Sequence, residues 1–167
     1  MLRLEAGEFR DLTRWRWTLA DADGAGEILA GHDVRLDRAC WQFEAFADLP
    51  FYVRWHAAPD RRRADEARIV AEIGEWIGSQ VLGPVAAELA RRGPSVVRVV
   101  VPPEASDLLL RPLELAHANG RPLSVEGSML VMAAGSAGPA APAGERLRVL
   151  GLFSLPEGGR ARRPRPP

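Results

Sequence analysis

"SVVRVVVPP", residues Ser95 to Pro103, is the stretch on which the fold of this chain turns. Five of its first seven residues are valine, and Arg98 alone interrupts an apolar run that occupies odd and even positions alike. A strand with one wet face alternates apolar and polar residues. A run apolar on nearly both faces reads as a central strand covered on both sides. Pro102-Pro103 then closes it, because proline has no N–H to offer a sheet. Such a strand needs helices against it, and their signatures stand immediately upstream.

Ile69, Ile73, Trp76 and Ile77 recur three and four residues apart, with Asp65, Glu66, Glu72 and Glu75 mostly off the stripe. That is the pattern of an amphipathic helix. Gly83-Pro84 breaks or kinks it, Val85 and Leu89 carry it a turn or two further, and "RRGP" (Arg91 to Pro94) supplies the stop. An earlier helix is expected from Arg38, with Leu36, Cys40, Phe43 and Ala47 on one face, until Leu49-Pro50 disturbs the pattern. Further upstream the period falls to two. "RWRWTLA" sets Trp15, Trp17 and Leu19 against Arg14, Arg16 and Thr18. The turn-rich "DADGAGE" (Asp21 to Glu27) then leads into a partner strand from Ile28 to Leu36.

Downstream, Asn119-Gly120 is a strong turn signal, since both residues tolerate positive φ. Ser128 to Ala133 reads as a second apolar strand and Arg146 to Pro156 as a third. Residues 133–145 between them are a small-residue loop, and residues 157–167 an Arg/Pro tail expected to be disordered. The fold class is therefore α/β: an N-terminal β-hairpin, two to three helices, then strands of a sheet. The expected organisation is a hairpin and helical region over 1–92, a strand-bearing region over 95–156, and the tail.

Composition narrows the function classes. Twenty-two basic residues, all arginine, balance twenty-two acidic ones, so no global field recruits nucleic acid or an acidic membrane. The arginine-only usage, with abundant Ala, Gly and Pro, resembles that of GC-rich bacterial genomes. The charged start "MLRLEAGEFR" is unlike a signal peptide, no apolar run approaches a membrane span, and a cytoplasmic protein is expected. A single cysteine, Cys40, excludes an internal disulfide and a multi-cysteine metal site.

Cys40 with His32, His56 or His117 could in principle form a thiolate–imidazole pair. A core position for Cys40 is the better expectation, because it falls on the apolar stripe of its helix. The histidines show neither HxH nor HExxH spacing, and "GAG" at Gly24 to Gly26 is too short for a dinucleotide loop. Arg61 to Arg63 open a helix against its dipole, which leaves either an anion or partner contact or a plain solvated face. The tail arginines, Arg160, Arg162, Arg163 and Arg165, are weak evidence for nucleic acid without aromatic partners. The tryptophans fit core anchors, Trp15, Trp17 and Trp76 sitting at periodic apolar positions. No catalytic, cofactor-binding or metal-ligating residue is assigned.

Five stretches read together resemble the entry into CHAT domains, the bacterial caspase-like domains associated with TPR repeats and other effector modules. They are the strand ending in Pro102-Pro103, the words L-R-P-L-E-L at Leu110 to Leu115, the turn N-G-R-P-L at Asn119 to Leu123, and the apolar strands "SMLVMA" and "LRVLGLFSLP". The resemblance covers about residues 95–156. It implies the entry strands of an incomplete caspase-like sheet. The family's catalytic histidine and cysteine are expected beyond the last of these strands, so no residue here inherits their roles. It further implies a catalytically silent scaffold whose partners are proteins, either other effector or repeat domains or a second copy joined through unpaired strands. Val96 to Val101 and Val149 to Phe153 would be the strands short of neighbours. The alternative is an independent small α/β binding domain or an enzyme with an unrecognised site.

Overall fold

A computed structural model describes residues 1–22 and 26–134. The chain opens with a meander. Strand β1 (Leu2–Asp11) pairs antiparallel with β2 (Arg14–Asp21), and β2 pairs antiparallel with β3 (Ile28–Arg35). Asp11 shapes the first turn, its carboxylate accepting from the Thr13 backbone N–H at 2.7 Å. Helices α1 (Trp41–Ala47), α2 (Leu49–His56) and α3 (Arg62–Trp76) follow, and α3 runs into a π-helical segment, Ile77–Leu82. Helix α4 (Pro84–Arg92) leads to β4 (Ser95–Val101). Two 3₁₀ segments, Pro103–Leu110 and Leu113–Leu115, precede a miniature hairpin of β5 (His117–Ala118) and β6 (Arg121–Pro122). Strand β7 (Ser128–Ala134) completes the described chain.

The fold is α/β. Its main sheet has the order β3-β2-β1-β4-β7, with β4 parallel to both β1 and β7. Leu2 stands beside Val97 and Leu4 beside Val99, so the N-terminal hairpin and the valine-rich strand share one sheet across residues 92–95, where the sequence suggested a boundary. One face carries the core. Leu4, Trp15, Trp17, Leu19, Val34, Val97 and Val99 are buried in one cluster with Ile69, Ile73, Ile77, Val85 and Leu89. The opposite face is polar at one end, where Arg3 pairs with Glu5 at 3.0 Å and Arg16 with Asp33 at 3.1 Å. At the other end it is apolar and open, with Val96, Met129 and Val131 exposed.

Two expectations need correction. The strand at Ser95 is central, as its apolar run suggests, but double coverage holds only toward its end: Val100 is buried whereas Val96 is 48% exposed. The second is the stripe Leu36, Cys40, Phe43, Ala47. Helix α1 begins only at Trp41, Cys40 is its part-exposed N-cap, and the buried residues are Ala45 and Phe46. A seven-residue helix apolar on most sides takes its phase from what it packs against, and Phe46 packs on Trp76 with ring centroids 5.7 Å apart. Leu49-Pro50 opens α2 instead of merely ending α1: Asp48 caps it by accepting from the Phe51 N–H at 3.0 Å, and proline in the first turn needs no N–H donor. The third apolar strand at 146–156, most of the 133–145 loop, the tail and most of the Gly24–Gly26 stretch lie outside the described residues.

Candidate docking edge

The groups that could make a cysteine enzyme each have other company. The Cys40 thiol donates to the Asp37 carbonyl at 3.1 Å. His56 stacks on Tyr52 at 4.0 Å between centroids, and Tyr52 in turn stacks on Trp41 at 5.4 Å. Burial among these rings, helped by the nearby Glu44 charge, pushes the Tyr52 hydroxyl above its ordinary pKa. His32 donates from Nε2 to the Gln80 carbonyl at 2.9 Å and lies against Gly83. His117 rests on α3 and its π-helical extension, where Gly74 and Gly78 let its ring and backbone approach closely, and its Nδ1 is buried without a hydrogen-bond partner among the described residues. Among the described residues no cluster of three His, Cys, Asp or Glu side chains could hold a metal ion.

A cleft of about 460 Å³ opens beside His117, lined by Glu75, Ser79, Ala86, Ala87 and Asn119 among others. The signal for it is the pair Gly74 and Gly78, one turn apart on a helix. It becomes legible only once His117 is known to meet them. The Ser79 hydroxyl donates to the Trp76 carbonyl at 3.3 Å. The arginine run is exposed at the start of α3, with Arg61 at the N-cap and Arg62 paired with Glu66 at 2.7 Å. Elsewhere acidic and basic side chains answer one another in the same way. Hydrogen bonds from Arg91, then Arg92, hold the Glu88 carboxyl down at about 2.

The feature least like an ordinary surface is the β7 edge. Among the described residues β7 pairs with β4 alone, and no described strand takes up the backbone N–H and C=O groups on its other side. Native edges are usually blunted by charge, and β3, at the opposite edge, carries His32, Asp33 and Arg35. Strand β7, Ser-Met-Leu-Val-Met-Ala-Ala, carries none. Two cavities flank it. One, of about 280 Å³, is lined by Leu123, Ser128 and Leu130, and the hydroxyl of the buried Ser128 has no partner. The other, of about 570 Å³, lies at the Met132 end among Pro50, Leu109, Leu110 and Pro112. An edge without a described partner strand, with hollows beside alternate side chains, can accept an extended polypeptide; Glu114 lines both hollows, and Asp48 and Arg111 the larger. The sequence marks Ser128 to Ala133 as a strand, but gives no sign of its being an edge beyond its lack of charge.

No family model, curated protein or solved structure matches this chain.

Proposed function

We propose that this chain forms the entry part of a CHAT-type, caspase-like α/β domain and acts by binding other polypeptides, without peptidase chemistry of its own. The observation that carries this is the charge-free β7 edge, flanked by two cavities whose walls combine apolar side chains with Glu114 and, in the larger, Asp48 and Arg111. The words behind the resemblance support it too. L-R-P-L-E-L lies between β4 and β7, where a tight 3₁₀ turn buries Leu113 under the sheet and the following N-G-R-P-L folds back so that the Leu123 N–H donates to the Ala116 carbonyl at 2.9 Å. These residues connect two parallel neighbours of a sheet, which suits the start of a larger parallel array.

Protein is a better partner than nucleic acid, because the chain carries no net positive charge and several surface arginines are paired with carboxylates, as in Arg16–Asp33, Arg68–Glu72 and Arg92–Glu88. Among the described residues no helix is long and apolar enough to cross a membrane. A reducing bacterial cytoplasm suits a chain with one free thiol.

The test is turnover. Incubated with a broad peptide library, the purified chain releases no product above a Cys40→Ser control, and that substitution leaves stability within about 1 kcal/mol of the parent. Turnover that disappears in Cys40→Ser would make the chain a small cysteine enzyme and overturn the proposal.

A further inference from the structure

We propose that the partner at the β7 edge is a second copy of this chain, joined by antiparallel pairing of β7 with β7 about a two-fold axis at Val131. The idea deepens the binding proposal above and rests on it. It comes from comparing the two edges of the sheet. β3 is guarded by Asp33 and Arg35, whereas β7 offers seven uncharged residues, and the chain as a whole carries no net charge to keep copies apart.

The order of residues along β7 is self-complementary. With Val131 on the axis, Leu130 of one copy stands opposite Met132 of the other, and Met129 opposite Ala133. Leu130 and Met132 both face the core side of the sheet, where they pack against the main cluster. The Leu130 of each copy therefore arrives beside the partner's 570 Å³ cavity at Met132, and each Met132 beside the 280 Å³ cavity at Leu130. Each cavity gains an apolar side chain beside its own apolar wall, Leu123 in the smaller and Leu109 in the larger, with Glu114 lining both, and methionine adapts readily to an irregular hollow. On the other face Val131 meets its own counterpart, with Arg98 of β4 in register on its inner side and the exposed Met129 and Val96 one pair further along. Like charges are nowhere brought together along the strand, and the contact is isologous and closes at two copies. The product is one continuous sheet with the charged β3 strands at its two ends.

Sedimentation velocity on the full chain over a broad concentration series tests this. A reversible dimer is expected. Val131→Lys should raise the dissociation constant at least about 100-fold, because the axis sets two like charges face to face beside Arg98, and Val131→Glu, which Arg98 can pair in register, should raise it less, about 10-fold. Both should stay folded, since Val131 is 44% exposed on the open face, and circular dichroism checks that. Mixing the Lys and Glu variants should restore a heterodimer, which a contact placed elsewhere would not do. Ile28→Lys, on β3, should leave association unchanged. A parent chain that stays monomeric overturns the proposal, as does a dimer that survives Val131→Lys or dissolves with Ile28→Lys. A monomer whose β7 amides resist hydrogen exchange also overturns it, and assigns the edge to residues 146–156 of the same chain. None of these results touches the absence of peptidase chemistry, which the turnover assay judges separately.

Discussion

Gly78→Ala should destabilise the chain by about 3 kcal/mol or more, at the upper end of what overpacking costs. A methyl group added at Gly78 would overlap the His117 carbonyl oxygen, and its nearest neighbours are backbone atoms that no rotamer change can move aside. The contact joins two distant parts of the chain, since Gly78 lies in the π-helical segment and His117 starts the small hairpin before β7. Pushing them apart would open the cleft lined by Glu75 and Asn119 and disturb the approach to β7. Gly7→Ala is the matched control. A Cβ on Gly7 meets nothing within 4 Å, so that change should fall within about 0.5 kcal/mol of the parent. Urea midpoints at constant slope measure both. If the two alanines cost the same, the hairpin does not pack on α3 as described.

Val99→Asp should cost about 3–5 kcal/mol at neutral pH, the range for an uncompensated buried charge. Val99 is fully buried and stands in register between Leu4 on β1 and Met132 on β7, so a carboxylate there has only apolar flanking partners in the sheet. The sign with pH follows from desolvation. Burial raises the folded-state pKa above the unfolded value of ~3.9, so the penalty is smallest below that value and grows as pH rises through the folded pKa. Stability of the variant relative to the parent should therefore recover in acid. Arg61→Ala, at an exposed helix start, should be nearly silent. Equal small effects from both would show that β4 is not the middle of the sheet.

Local pattern carried much of this fold. The alternation of Trp15, Trp17 and Leu19 gives the buried face of β2, and the stripe of Ile69, Ile73 and Ile77 gives the core side of α3 and its extension. Asn119-Gly120 forms the expected turn, both residues holding positive φ at 53° and 74°. Neighbours across the sheet were not legible, because a period of two tells which way a side chain points and not which strand lies beside it. That is why the pairing of β1 with β4 has no signature in either stretch. Cys40 misled for a related reason: apolar spacing placed it on a helix whose first turn begins one residue later. The His117 cleft depends on two glycines meeting a backbone segment about 40 residues away, a contact with no local signature.

All five tryptophans, Trp15, Trp17, Trp41, Trp55 and Trp76, precede the loop at Gly93, whereas the strands bearing the CHAT resemblance follow it. Their fluorescence thus reports on the hairpin and helices, while amide exchange at Val97 to Val101 reports on β4. Comparing the two under increasing urea asks most directly whether residues 1–134 form one open sheet ending in β7. The account predicts one cooperative transition, with the fluorescence midpoint and the loss of β4 protection coinciding, because β1 and β4 unfold together. Loss of β4 protection well before the fluorescence change would contradict it, dividing the chain near residue 93 and leaving the β7 edge without its sheet.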